Sequence, residues 1–246
     1  DSARVKGMGS FGSRSLFVGG TVLLEGAQEF LQKGKELAAA ELEAAVVDMR
    51  YHEGRFEVVG TSIGIGLFEL AAGQAEHSFS TETEKEVEGR SWPNGCHIAE
   101  VEIDPETGSV RLVSHGTFDD IGNPINPMIV EGQLHGGIAQ GAGQALLEHS
   151  EYDSEGQLLS GSFLDYAIPR ADDLPSFYTN MYTGAPCKTN PLGAKGVGEI
   201  GVVGSIPAIA NAVLDALWEQ GVRHFDMPAN PQKIWKLLQN QKTETN

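Results

Sequence analysis

Pro191-Leu192-Gly193-Ala194-Lys195-Gly196-Val197-Gly198-Glu199-Ile200-Gly201 sets four glycines around one carboxylate. Glycine adopts backbone angles closed to other residues and lets another molecule approach the main chain. The stretch therefore reads as a loop that wraps a ligand and aims Glu199 at it. An apolar, helix-like segment follows at once, from about Val202 to Trp218. Glu199 is then delivered near a helix N-terminus, where outward N–H groups favour anions. The competing reading is a glycine-rich turn with a solvated acid. A phosphate or dinucleotide loop of another fold fits poorly. There is no Gly-x-x-x-x-Gly-Lys-Ser/Thr run, Gly196-Val197-Gly198 has no third glycine at the dinucleotide spacing, and no clear parallel strand precedes it.

Two other stretches have the same character. Gly7 to Ser15 reads Gly-Met-Gly-Ser-Phe-Gly-Ser-Arg-Ser and precedes a helical pattern from about Leu16 to Ala45, interrupted near Gly19-Gly20 and Gly34. Serine hydroxyls, N–H groups and a guanidinium before a helix can grip an anion. An N-cap with a flexible lead-in is the alternative. Glu131 to Glu148 is helical in pattern yet holds five glycines, with Gln133, His135 and Gln140 among them. Each glycine inside a helix costs about 1 kcal/mol relative to alanine, a cost met where a ligand or a neighbouring backbone must come close. Close helix packing with a polar outer side is the other reading. His135 has no His-Glu-x-x-His or Cys-x-x-Cys companion and is not expected to bind zinc.

Taken together, the wording of these stretches carries a family resemblance. Gly193-Ala194-Lys195-Gly196-Val197-Gly198-Glu199 resembles the loop bearing the active-site glutamate of molybdenum hydroxylases, the family of xanthine dehydrogenase, aldehyde oxidoreductase and aerobic carbon monoxide dehydrogenase. Gly9 to Ser15 is similar to that family's Gly-Thr-Phe-Gly-Ser-Arg-Ser loop, which lies against the pterin and its phosphates. Gly132-Gln133, His135-Gly136-Gly137 and Ala139-Gln140-Gly141 resemble its cofactor-pocket segment. The Asp104-Pro105-Glu106-Thr107-Gly108 turn and the Tyr166-Ala167-Ile168-Pro169 step also match. The motifs stand in the family's order, and the resemblance covers essentially the whole chain.

The resemblance implies an α+β fold, the molybdenum-cofactor-binding domain of the xanthine dehydrogenase family, open to division into two α/β subdomains. Residues 1–90 would form a first cofactor-binding subdomain and 91–246 a second one carrying the catalytic glutamate. It further implies oxidative hydroxylation of a heterocycle or aldehyde carbon, with water as the oxygen source and Glu199 as general base. Enzymes tune such carboxylates by burial in a dry pocket. Phe11, Gly12, Ser13, Arg14, Ser15, Gln133, His135, Gly136, Gly137, Gln140, Lys195, Gly196, Val197 and Gly198 would hold a molybdenum-pterin, in its molybdopterin cytosine dinucleotide form. No side chain would ligate the metal. Family catalytic subunits are much longer, so the N-terminal molybdopterin-binding part, an iron–sulfur subunit with [2Fe-2S] and a flavin subunit with FAD are expected as partners. A non-catalytic assembly or structural subunit of such a complex is the alternative.

Composition narrows the setting. Against 17 Lys and Arg stand 34 Asp and Glu, a net charge of −17. That disfavours nucleic acid, whose binding needs clustered cations. Cys96 and Cys187 are too few for a disulfide framework or an iron–sulfur cluster, and fit free thiols in the cytoplasm. No run of about 18 uncharged apolar residues occurs, so no membrane span is expected.

The remaining pattern is mixed. Met49 to Val59 reads as a hairpin around Glu53-Gly54, Ile63 to Ala72 as a loop and helix, and Glu76 to Gly89 as an exposed strand or acidic connection. Gly95 to Ile103 and Ser109 to Phe118 read as strands joined by the Asp104–Gly108 turn, with Val101, Ile103, Val110, Leu112 and Val113 on the buried face. Asp119-Asp120 reads as the opening of a loop. A strand is expected near Phe177 to Thr183, a helix over Ile206 to Trp218, a short strand over Val222 to Phe225 and a last helix over Pro231 to Leu238.

Overall fold

With no proline and few β-branched residues to break it, the first helical stretch runs on as a single helix, α1, Ser15–Glu41. The interruption expected at Gly34 does not occur. A Cβ there would sit 2.3 Å from the ring of Phe56, which is fully buried, so Gly34 is the socket for that ring. The computed structural model describes residues 7, 9–182 and 184–244; Met8, in the expected N-terminal loop, and Thr183, at the end of the strand expected near Phe177 to Thr183, lie outside them. The chain forms two compact units, Leu16–Gly89 and a second made of Asp1–Ser15 with Arg90–Asn246. A cut at residue 90 assigns residues 1–15 to the first piece, whereas the described residues up to Ser15 group with the second.

In the smaller unit, β1 (Met49–His52), β2 (Arg55–Val58) and β3 (Gly64–Gly66) form an antiparallel sheet in that order. Glu53 and Gly54 close the hairpin with φ of 46° and 80°, the left-handed pair that matches strand twist. The segment expected as a loop before α2 (Leu67–Ala72) is in fact β3. Residues 76–89 form no strand; Lys33 Nζ donates to Ser80 O at 2.8 Å and Lys85 pairs with Glu25, which makes this the acidic connection. Ala38, Ala39, Met49, Phe56 and Leu70 are the core.

In the larger unit, β4 (Asn94–Ile103) and β5 (Val110–Asp120) are antiparallel, and β6 (Phe177–Tyr182) runs parallel to β5. The Asp104 carboxylate shapes the β4–β5 turn, accepting from Glu106 N at 2.9 Å and Thr107 Oγ1 at 2.7 Å. Midway the register jumps: Val101 faces Leu112, but Glu100 faces Ser114. Val113 is the extra residue of a bulge, which reverses which alternate side chains point inward. Leu112 is therefore buried on one side of it and His115, Thr117 and Asp119 on the other, while Val113, expected in the buried face, is only half-buried.

A parallel neighbour requires a crossover, and α3 (Pro127–Leu146) supplies it. Its start is set by Asn126, whose Oδ1 accepts from Ile129 N at 3.2 Å, with Pro127 in the first turn. α4 (Ile200–Trp218) packs on α3 and β4. By length and composition α4 could cross a bilayer, yet its Ile209, Val213 and Leu217 are buried in a core with Leu112, Ala142, Ala145, Leu146 and Ile234 of α5 (Pro231–Glu244). The strand expected over Val222 to Phe225 is irregular chain, and both residues still pack on that core.

Candidate active site

Two helices approach closely where α3 and α4 cross. A Cβ on Gly137 would lie 2.8 Å from Gly201 Cα, and one on Gly201 2.7 Å from Leu134 O. Only glycine at both positions permits this spacing, so Gly137 serves the helix contact. That contact fixes the start of α4, where Glu199 is the N-cap residue.

The loop leading to Glu199 is held from three sides. Lys195 Nζ pairs with Asp120 Oδ2 at 2.7 Å, both largely buried. Lys195 N donates to Ile121 O at 3.0 Å and Gly196 N to Ser91 Oγ at 2.9 Å. Asn190 braces the loop from within, donating to Ala194 O at 2.9 Å and accepting from Ala194 N at 3.2 Å. The Asp120 carboxyl is held below the usual carboxylate range. Burial opposes this, but the Lys195 ammonium and the Gly122 N–H outweigh it. Val197 packs with Ile121, Val130 and Leu134.

The N-terminal loop meets this corner. Ser13 Oγ donates to Glu199 Oε2 at 2.7 Å. A Cβ on Gly196 would stand 2.4 Å from Ser13 O, so the contact requires glycine there. A Cβ on Gly198 would lie 3.4 Å from both Ser13 Oγ and Gln133 Oε1. The Arg14 guanidinium lies 3.7 Å over the Phe11 ring, and the Ser15 hydroxyl pairs with that of Ser10.

Of the residues expected to form the site, Ser13, Gly196, Gly198, Gln133 and Glu199 come together. Gln133, Gly136 and Gln140 lie exposed on α3, and Cβ atoms built on Gly132 and Gly136 would meet nothing. This bare, amide-bearing helix surface fits a flat polar group. His135 turns to β6 instead, with Nε2 3.3 Å from Thr179 Oγ1 and its ring against Phe177. The Lys195 side chain is committed to Asp120. Glu199 itself is exposed, so these residues alone do not make a dry pocket. Tyr166 donates to Glu148 at the end of α3, at 3.0 Å. Asp120 and Asn190 went unrecognised as anchors, because an acid at a strand end and an Asn before a Pro both resemble ordinary turn residues.

A second polar cluster lies under α4. His97 Nε2 is 3.4 Å from Asp119 Oδ1, and His115 Nε2 is 3.3 Å from His97 Nδ1. His115 Nδ1, Thr117 Oγ1 and both Asp119 oxygens lack a hydrogen-bond partner among the described residues. His115 is held down to about 4, first by burial and then by the His97 ring, with Asp119 pulling the other way. Asp119, expected to open a loop, is a strand residue with no exposure. No group of three or more His, Cys, Asp or Glu among the described residues is placed to hold a metal ion.

Comparison with known proteins adds the family. The model of the molybdopterin cofactor-binding domain matches residues 1–175. The carbon monoxide dehydrogenase large chain of Hydrogenophaga pseudoflava is 35% identical over 240 residues, 94% of this chain and 30% of the relative. The nicotine 6-hydroxylase large subunit of Paenarthrobacter nicotinovorans is 34% identical over 93% of this chain and 29% of its own. The crystal structure of a Cu,Mo-CO dehydrogenase superposes with a TM-score of 0.83 at 30% identity, covering 97% of this chain and 31% of the other. Quinoline 2-oxidoreductase from Pseudomonas putida 86 gives 0.81 at 33% identity, over 95% and 31%. The chain thus spans about 30% of the length of the relatives it matches. Similarity at this level over nearly the whole chain, in sequence and in backbone, places it in the molybdopterin cofactor-binding domain family of the molybdenum hydroxylases.

Proposed function

We propose that this chain is the base-bearing portion of a molybdenum hydroxylase, in which Glu199 is the general base. The observation that carries this reading is the Glu199 carboxylate itself. It stands at the N-cap of α4, with Oε2 engaged by Ser13, beside a helix surface stripped of side chains at Gly132 and Gly136. A bound molybdenum-pterin would supply the two-electron oxidation. Arg14, Ser15, Gln133, Gly136, Gln140 and the Gly196–Gly198 backbone would hold it, and the cytosine dinucleotide form gives Arg14 a phosphate to grip. Glu199 Oε1, the oxygen Ser13 leaves free, would accept the proton that a water-derived oxygen gives up on bonding to an electron-poor carbon of a heterocycle or aldehyde, the hydrogen and electron pair of the broken C–H bond being what the bound cofactor would take up.

Because Glu199 is exposed in this chain, other polypeptide must exclude water from it. The relatives extend well beyond the matched 30% of their length, and a further molybdopterin-binding part, on the same or another polypeptide, would close the site. Partners with [2Fe-2S] and FAD carry electrons away, in the cytoplasm. The relatives' names, a "large chain" and a "large subunit", support such an assembly. In the assembled enzyme, Glu199→Gln retains molybdenum and releasable cytidine monophosphate but loses about 10²–10⁴-fold in turnover, the range of positioned base catalysis. Near-normal turnover of that variant overturns the reading. A cofactor-loaded variant chain isolated without partners overturns the assembly.

A further inference from the structure

Ser13 lies in the loop whose resemblance assigns it to the pterin, yet its hydroxyl is turned elsewhere. It donates to Glu199 Oε2 at 2.7 Å, across 186 positions of sequence. Two features of the backbone enforce this. Gly12 and Ser13 take φ of 60° and 52° in succession, a left-handed pair that is costly for a non-glycine residue and persists only where surroundings impose it. The surroundings are Gly196, whose missing Cβ lets Ser13 O approach, with Gly198 beside the Ser13 hydroxyl. The neighbouring Ser15 hydroxyl is paired with Ser10 and does not compete. A strained serine wedged against two glycines and bonded to the one exposed acid of the loop is a holder of that acid.

We propose that Ser13 is a positioning residue for Glu199. Its hydroxyl fixes one carboxylate oxygen and so points the other at the reacting proton. This rests on the reading of Glu199 as base. A freely rotating carboxylate spends most of its time off the line of proton transfer, and a base misplaced by about 1 Å loses rate steeply. A hydrogen bond to a charged acceptor is strong enough to set one rotamer.

The test uses the assembled enzyme with Ser13→Ala and Ser13→Gly. The glycine variant suits the left-handed backbone and removes the hydroxyl without strain, so it reports the hydrogen bond even if the alanine variant folds poorly. Expected for both is a kcat fall of about 10- to 100-fold, with KM and molybdenum content unchanged. Their crystal structures show the Glu199 carboxylate in more than one rotamer. Wild-type kcat in Ser13→Gly, alongside a Glu199→Gln variant that is dead, overturns the proposal and leaves the base intact. Loss of molybdenum with the hydroxyl makes Ser13 a cofactor ligand and also overturns it. An active Glu199→Gln variant overturns the base reading first, and the positioning role with it.

Discussion

Glu199 and Asp119 are two carboxylates of one folded unit in opposite settings. Glu199 sits at a helix end, open to solvent, with the Ser13 hydroxyl donating to one oxygen. Asp119 has no exposure, faces His97 at 3.4 Å and has neither oxygen hydrogen-bonded among the described residues. By burial and the lowered titration of His115 alone, the Asp119–His97–His115 cluster would look like the functional one. Its walls argue otherwise. A Cβ on Gly95 would stand 1.9 Å from Asp119 Oδ1, and one on Gly204 2.5 Å from the His97 ring. Backbone closes in on the Asp119 carboxylate from one side and on the His97 ring from the other. Gly204 belongs to α4, so the buried cluster is part of the floor beneath the helix whose N-cap is Glu199. The exposed carboxylate is arranged for something that arrives, the buried one for something that stays.

The sharpest test of this contrast is Glu199→Gln, with the large turnover loss given above and a thermal midpoint unmoved. A midpoint that falls by several degrees would make Glu199 structural and erase the difference. Next comes the link between the two regions. Asp120 follows Asp119 on β5 and pairs with Lys195 of the Glu199 loop. Lys195→Met removes the cation from a largely buried carboxylate, leaving it only the Gly122 N–H and the Asn94 side chain, and should cost about 3 kcal/mol in chemical denaturation. A loss below about 1 kcal/mol would show that the backbone bonds of the loop suffice.

A smaller effect comes from acid. An unfolded chain protonates His115 near 6.5, the folded one only near 4. The unfolded state thus binds more protons across that window, and stability is full above about 6.5 and declines as pH falls to 4. The decline attributable to His115 is on the order of 2 kcal/mol, and His115→Leu should flatten the profile in pH-dependent unfolding. An unchanged profile would mean that the ring is hydrated in solution. The smallest effect belongs to Arg111–Glu102, on the same two strands but with both side chains about two-thirds exposed. Glu102→Gln should shift stability by about 0.5 kcal/mol or less, which separates the buried cluster from its exposed neighbours.

Much of this was legible in the residues. The hairpin at Glu53-Gly54, the Asp104–Gly108 turn, the helical pattern of Glu131 to Glu148 despite its glycines and a helix starting beside Glu199 all follow from local chemistry: turn residues at fixed positions and apolar helical spacing. Local chemistry misled where a partner was distant. Gly34 reads as a break because nothing nearby shows that Phe56 fills it. Val222 to Phe225 reads as a strand, yet no neighbouring strand pairs with it among the described residues. Nothing in the sequence brings His97, His115 and Asp119 together, because the Val113 bulge, which turns the last two inward beneath α4, leaves no mark on the spacing of residues.

The sequence by itself therefore determined the identity of the loop and its acid, since glycine placement and helix start are encoded over a few adjacent residues. Only the tertiary structure decided which group holds that acid. Ser13 and Glu199 meet because a strained turn, a glycine at 196 and the α3–α4 crossing at Gly137 and Gly201 bring their chains together. Such contacts depend on ångström-scale approach between segments far apart in the chain, and no local pattern of residue types specifies that distance.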